Sequence, residues 1–404
     1  MDSKGKLFTK LLSLFKPLVI GGILCLVFII VSILVPLPIP PDQDFSMIYA
    51  ANLGLIHGIG FYDHAGQLEM MATLVEQNPS EINIPYNIYP PHLALFTLFL
   101  AWFTPAQGAR IWFFLNVTMV VLAAHLFLKG QSFKRRAIGL VLIVLYLPTI
   151  GNLVVGQYIA PLLLGLALTL DGVKSESSIR IAIGIILFSI KPHLGIGAIL
   201  VVMAWLMFCR MRWAMRAILY AIVSGLFILG MAWLVDATWL MDYLGTIEQF
   251  RNLPTYEICE LCSSLSVHLS RLIYGQPNTS VSLQIGLWLF LGIGLFFMLC
   301  RAWQLPLPSI LGWVILLTFF VNPYLNNYDY MLLIQPVLII ISRRITVFEI
   351  ITLLVVILIP WLSLLTGARF YTALGLSISS IVVFMLLIIH CRKATKPHLN
   401  AQLS

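Results

Sequence analysis

Long apolar runs, separated by short basic turns, recur from residue 18 to residue 391. Runs of that length predict membrane-spanning α-helices. Spans are expected near 18–36, 109–128, 137–150, 157–170, 179–190, 192–209, 215–235, 282–300, 306–322, 328–342, 346–366 and 371–391, about twelve in all. Several are short. Residues 137–150 and 157–170 are fourteen residues each. A helix of that length reaches about 21 Å, against a hydrocarbon core of about 30 Å. Between the two lie Gly151, Asn152, Gly156 and Gln157, and the next pair is broken by Lys191-Pro192-His193. Polar turns at membrane depth are tolerated only where protein or a water-filled cavity covers them. The pattern therefore predicts a cavity sunk into one leaflet. Residues 90–104 are apolar but are read as a juxtamembrane or re-entrant helix, because a crossing there would invert the basic turn at 129–136.

Charge orients the spans. Nineteen of the 24 Lys and Arg residues fall in the two termini and in turns on one side, including Lys129, Arg135, Arg136, Lys174, Arg180, Arg212, Arg343 and Arg344. The positive-inside rule makes that side cytoplasmic, with both termini there. Residues 37–109 hold six carboxylates and no Lys or Arg, so they are expected outside. Composition agrees, with 60% hydrophobic and 10% charged residues, outside the range of soluble domains. The net charge of +8 sits in turns between spans and does not signal nucleic-acid binding. The fold class is thus all-α and polytopic, one integral membrane domain of the cell membrane over 1–404. External loops are expected at 37–108 and 236–281, and a cytoplasmic tail at 392–404. Residues 18–36 read as a retained anchor, since Pro-rich sequence rather than a cleavage site follows. Cys259 and Cys262 form a lone CxxC, too few ligands for a zinc site and compatible with a local disulfide.

The candidate chemistry lies in the external segments. Asp44 opens a stretch in which Phe45, Tyr49, Leu53 and Ile56 recur on one helical face, predicting an amphipathic helix on the membrane. The plainer role for Asp44 is then a helix N-cap. Asp42 stands two residues earlier. Tyr62, Asp63 and Tyr89-Pro90-Pro91-His92 follow, then Arg251, His268 and Arg271 in the second loop. A third, short loop reads Asn322-Pro323-Tyr324-Leu325-Asn326-Asn327-Tyr328-Asp329. Tyr, Asn and Pro are common at interfaces and turns, so each segment alone says little. Lys191 says more. An ionisable residue in the middle of an apolar stretch marks a functional site by default, although it could snorkel to the outer headgroups.

Taken in order, these segments resemble the polyprenyl-phosphate-sugar-dependent membrane glycosyltransferases of family 87, which have the GT-C-type fold. The resemblance covers residues 18 to about 340. It rests on Asp44-Phe-Ser-Met-Ile-Tyr49, Gly58-Ile-Gly-Phe-Tyr62-Asp63, Ile88-Tyr89-Pro90-Pro91, Gly156-Gln157, Ile190-Lys191-Pro192, Ser263-Ser-Leu-Ser266 with Arg271, Asn322-Pro323-Tyr324 and Tyr328-Asp329. The resemblance implies external juxtamembrane helices and a catalytic Asp in the first external loop, matched best by Asp44 with Asp42 as rival. It implies a hexose donor on polyprenyl phosphate, mannosyl transfer being the leading expectation, and a lipid or glycan acceptor. It also implies that no metal or other cofactor takes part.

On that reading Asp44 is the general base of an inverting transfer. Lys191 is the first choice for the donor phosphate, followed by His193, Arg251 and Arg271. Tyr49, Tyr62, Tyr89, Gln157, Asn322 and Asp329 are candidates for sugar or acceptor contacts. No Walker motif or strand-borne GxGxxG is present, which fits a lipid-linked rather than a nucleotide donor. The competing class is a multi-spanning transporter or lipid flippase, for which broken helices and a buried lysine would serve equally.

Overall fold

Prolines stand in the first turn of the helices that begin at Pro105, Leu147, Pro192 and Leu307, where a missing N–H costs nothing and a fixed φ suits the first turn. The structure, a computed structural model, describes residues 44–209 apart from 83, 211–251, 264–274, parts of 286–297, 306–322, 325–342, 346–365 and 374–387. Among the described residues every regular element is helical. Three helices come first: α1 (Asp44–Ile56), α2 (His64–Val75) and α3 (His92–Thr97), the last continued by a 3₁₀ turn, Leu98–Trp102. The body follows as α4 (Pro105–Phe127), α5 (Phe133–Leu145), α6 (Leu147–Val155), α7 (Ile159–Lys174), α8 (Ser178–Ser189), α9 (Pro192–Cys209) and α10 (Arg212–Val235). Then come α11 (Trp239–Arg251), α12 (Leu265–Tyr274), α13 (Leu307–Val321), a 3₁₀ turn at Asn327–Leu333, α14 (Ile334–Ser342) and α15 (Val347–Leu365).

Three helices, α4, α9 and α10, are long and apolar enough to cross a bilayer. The pair α5 and α6, bent by 54°, makes a fourth if taken as one span. The other apolar helices are shorter, among them α8, α13 and residues 374–387. A helical membrane protein fits this inventory. The expected single helix over 137–150 is corrected: the chain breaks at Tyr146, whose ψ of 114° is extended. Pro148 is the cause, since it has no N–H to give the Val144 carbonyl four residues back and its ring clashes with that carbonyl. The predicted break before residue 157 is present at Gly156. Residues 92–102 form eleven residues of helix and 3₁₀ turn, too short to cross, packed against α1 and α4.

The expectation for α1 also needs correction. It is not a half-exposed amphipathic helix. Every residue from Phe45 to Gly54 is buried, including Ser46 and Asn52. Its polar groups are satisfied inside the protein, as Asn52 Nδ2 donates to Thr97 Oγ1 at 2.9 Å. The spacing of large side chains was right, but α3, its 3₁₀ extension and α4 close over the other face. By contrast α10 exposes Leu219, Val223, Leu226, Phe227 and Trp233 along its length. So much apolar surface is a liability in water and ordinary in lipid.

The tightest helical packing joins α7 to α8, with α4 against α7 and α10 against α8. Chain direction places 105, 159 and 189 at one end of this group and 127, 174 and 178 at the other. At the second end the buried Asp171 binds Lys129 Nζ at 2.8 Å and also Arg180. That ion cluster ties α4, α7 and α8 together. The first end carries the candidate site.

Candidate active site

The turn after α6 is built around Gly156. Its φ of +77° lies in the left-handed region, and a Cβ there would come within 2.7 Å of the Phe45 Cβ. Only glycine meets both conditions without strain. The turn is closed by Gly156 N and Gln157 N donating to Asn152 O at 3.1 and 3.0 Å. Asn152 Oδ1 accepts from Ile159 N at 3.1 Å, and Trp112 Nε1 donates to Gly156 O at 2.8 Å. Gln157 is thereby delivered next to the start of α1.

Its carboxamide is the hub of the site. Gln157 Oε1 accepts from Tyr89 Oη at 2.8 Å and from Lys191 Nζ at 3.4 Å. Ammonium and phenol donors on that oxygen fix the flip of the amide. Nε2 then donates to the Asp44 carboxylate and, at 3.0 Å, to Tyr328 Oη. Lys191 closes α8, and Leu194 N and Gly195 N bond back to its carbonyl as α9 begins. A Cβ on Gly195 would collide with the Phe188 carbonyl, so the α8–α9 turn can close tightly only with glycine there. Lys191 Nζ reaches Asp329 Oδ1 at 2.6 Å and lies 4.9 Å from the Tyr328 ring centroid. Asp329 is fixed in turn by Asn326 N, 2.8 Å from its Oδ2.

Burial pushes the Asp44 carboxyl above its ordinary pKa of 3.8, opposed by the Gln157 hydrogen bond, the Lys191 charge and the Tyr328 hydrogen bond. A carboxylate so poised is closer to the working pH of a general base than a solvated one. The site thus offers a buried carboxylate, a buried lysine and a wall of tyrosines. Tyr158 packs on Tyr89 with ring centroids 5.0 Å apart. The Tyr158 hydroxyl and His193 Nε2 are buried with no hydrogen-bond partner among the described residues. Orphaned polar atoms beside a charged cluster mark places where a ligand can bond.

Of the residues singled out by sequence, Asp44, Tyr89, Gln157, Lys191 and Asp329 meet directly. Asn322 and His193 adjoin them, with Asn322 Nδ2 donating to His193 O at 3.4 Å. Tyr62 supports from behind, donating to Tyr89 O at 2.9 Å. Tyr49 is turned into the packing of α1, its hydroxyl on Phe103 O at 2.6 Å. Arg271 is half-buried on α12, which packs on α13. Asp63 caps α2 through Gly66 N at 3.0 Å. Asp42, the Arg251 side chain, Cys259, Cys262 and residues 18–36 lie outside the described residues. Sequence reasoning did not select Tyr328 and Asn326 as site residues. Tyr328 stood in the Tyr328-Asp329 segment of the family resemblance without being given a role, and Asn326 was marked only by lying in the same polar turn.

The sequence model of glycosyltransferase family 87 matches residues 87–323, more than half of the 404. The chain belongs to glycosyltransferase family 87. The protein is therefore an enzyme that transfers glycosyl groups, and the transporter alternative falls. The matched stretch carries Tyr89, Gln157 and Lys191, and is narrower than the resemblance drawn from the segments. Asp44 and Asp329 lie beyond its ends and are tied to it by the hydrogen bonds above. No curated protein and no solved structure matches the chain at a significant level.

Proposed function

We propose that this glycosyltransferase moves a hexose, with mannose the first candidate, from polyprenyl phosphate to a lipid or glycan acceptor, with Asp44 as general base. The observation that carries the proposal is the convergence of Asp44 and Lys191 on one carboxamide, Gln157, from three distant parts of the chain. Asp44 takes the proton of an acceptor hydroxyl. The oxygen attacks the anomeric carbon, the bond from that carbon to the phosphate oxygen breaks, and configuration inverts. The departing lipid phosphate gains negative charge, which a preorganised cation stabilises. Lys191 is that cation. Two of its three N–H directions go to Asp329 and Gln157, leaving the third for an incoming oxygen. His193 Nε2 and the Tyr158 hydroxyl are further partners for donor or acceptor. Asp42, Arg251 and Arg271 stay as secondary candidates for base and phosphate contacts.

A groove of about 270 Å³ supports a lipid donor. It lies between α8, α9 and α10, walled by Ile185, Ile199, Met203, Ile222 and Leu229. His92 and Ser189 line it too, bonded to one another at 3.1 Å, three residues from Tyr89 and two from Lys191. A prenyl chain in this groove would bring its phosphate toward Lys191. The site lies at the helix ends opposite the basic turns at 129–136 and 174–180, which favours the outer face of the membrane. Twelve spans and cytoplasmic termini complete this topology.

The test is sugar transfer by the purified full-length enzyme in nanodiscs. The donors are radiolabelled polyprenyl-phosphate sugars, with lipid and glycan acceptors. Loss of transfer in Asp44→Asn with retention in Asp42→Asn supports the assignment. Retention in Asp44→Asn removes it.

A further inference from the structure

Tyr328 holds a position in the site that no step above uses. Its hydroxyl oxygen receives two N–H donors, Gln157 Nε2 at 3.0 Å and Asn326 Nδ2 at 2.9 Å. A phenol has a single proton to give, and two donors on its oxygen turn that proton toward the remaining acceptor. The acceptor beside it is the Asp44 carboxylate: carboxylate and hydroxyl are both bonded to the one nitrogen Gln157 Nε2, and the Tyr328 hydroxyl is among the groups that hold the Asp44 pKa down. The ring of Tyr328 lies under Lys191, so rotation about the side chain is restricted by the same cation that orients Gln157.

We propose that Tyr328 is a positioning residue for the base: Asn326 and Gln157 occupy its oxygen and so direct its phenol proton onto Asp44, holding that carboxylate ionised and aimed. This rests on Asp44 being the base. A hydrogen bond to the charged form of an acid favours that form. Several groups face Asp44 among the described residues. Gln157 comes from the turn after α6, Lys191 from the α8–α9 turn, Tyr328 and Asp329 from the 3₁₀ turn, Tyr89 from before α3 and Tyr158 from before α7. Asp329 opposes ionisation by its own charge, and Lys191 favours it. Gln157 bonds the carboxylate directly, and Tyr328 is bonded to the same Gln157 nitrogen. When Asp44 accepts the acceptor's proton its charge vanishes, and the Tyr328 bond weakens. The residue therefore sets how much of the base is ionised rather than touching the sugar.

The experiment uses the full chain in nanodiscs with Tyr328→Phe, which keeps the ring beneath Lys191 and removes only the hydroxyl. Two quantities are read against pH. The first is labelling of Asp44 by dicyclohexylcarbodiimide, which reacts with protonated carboxyl groups in apolar surroundings, scored by peptide mass spectrometry. The second is kcat/KM for sugar transfer. The labelling midpoint and the acid limb of kcat/KM are both expected to move up by about one pH unit, the size of one hydrogen bond to a charged group. The shift of the two midpoints, not the plateau rate, is the readout. Asn326→Ala frees one site on the phenol oxygen and is expected to shift both midpoints in the same direction by less. If Tyr328→Phe does not fold, Asn326→Ala decides in its place. An unmoved labelling midpoint overturns the proposal. If Asp44→Asn still transfers sugar, the base assignment has failed, and the labelling midpoint alone then reads whether Tyr328 holds Asp44.

Discussion

Lys191 Nζ and Asp329 Oδ1 lie 2.6 Å apart, and neither side chain is more than 3% exposed. Two charges this far from water persist because each answers the other, and removing one strands its partner. Asp329→Ala is expected to destabilise the protein by about 3–5 kcal/mol, measured by thermal or denaturant unfolding in detergent. The double variant Lys191→Met with Asp329→Leu is expected to recover most of that stability and none of the activity. A double variant as unstable as the single one would show that the pair does not act as a unit.

Gln157 joins Lys191 to Asp44 through one planar amide. Gln157→Leu is expected to lower kcat by about 10²-fold, the scale of a misplaced reacting group. Gln157→Glu sets a second carboxylate against Asp44 and raises the Asp44 pKa further. Its kcat/KM profile is expected to lose activity from the acid side first. An unaltered profile would place Gln157 away from the base.

Gly156 faces both an unfavourable φ and the side chain of Phe45, whereas Gly130 has a φ of +82° with open space around it. Gly156→Ala is expected to cost well over about 1 kcal/mol, the strain of a Cβ at positive φ plus a displaced α1. Gly130→Ala is expected to cost only the first part. Parallel melting curves of the two variants, with transfer rates, check this. Equal losses would mean that α1 does not press on the turn.

Because burial raises the Asp44 pKa above 3.8, the native state retains, only between the unfolded and folded pKa values, a proton that the unfolded chain has released. Stability therefore falls as pH rises from the unfolded value through the folded one. Asp44→Asn removes that loss. The variant is expected to melt at or above the wild-type temperature at pH 7, the two converging below about pH 4. Transfer is expected to drop by about 10² to 10⁴. A variant that melts lower at pH 7 would mean that the carboxylate stabilises the fold rather than straining it.

Hydropathy alone places the long helices α9 and α10. Apolar runs must be shielded from water, so 192–209 and 215–235 predict α9 and α10 to within a few residues. Pro192 and the Gly156–Gln157 turn are visible for the same local reason, since ring and φ constraints act within a few residues of chain. An isolated lysine in an apolar stretch likewise announces itself, because its desolvation needs a counter-charge somewhere. Which counter-charge it finds is a matter of packing. Asp329 stands 138 residues away from Lys191, and Asp44 stands 113 from Gln157. No pattern of local spacing carries contacts of that range. The burial of α1 on all sides, the turn that aims Tyr328 and the withdrawal of Tyr49 into the core follow from how α3, α4 and the 3₁₀ turn close around one another. Periodicity states which residues share a helix face. Only the folded neighbours settle whether that face meets lipid, core or substrate.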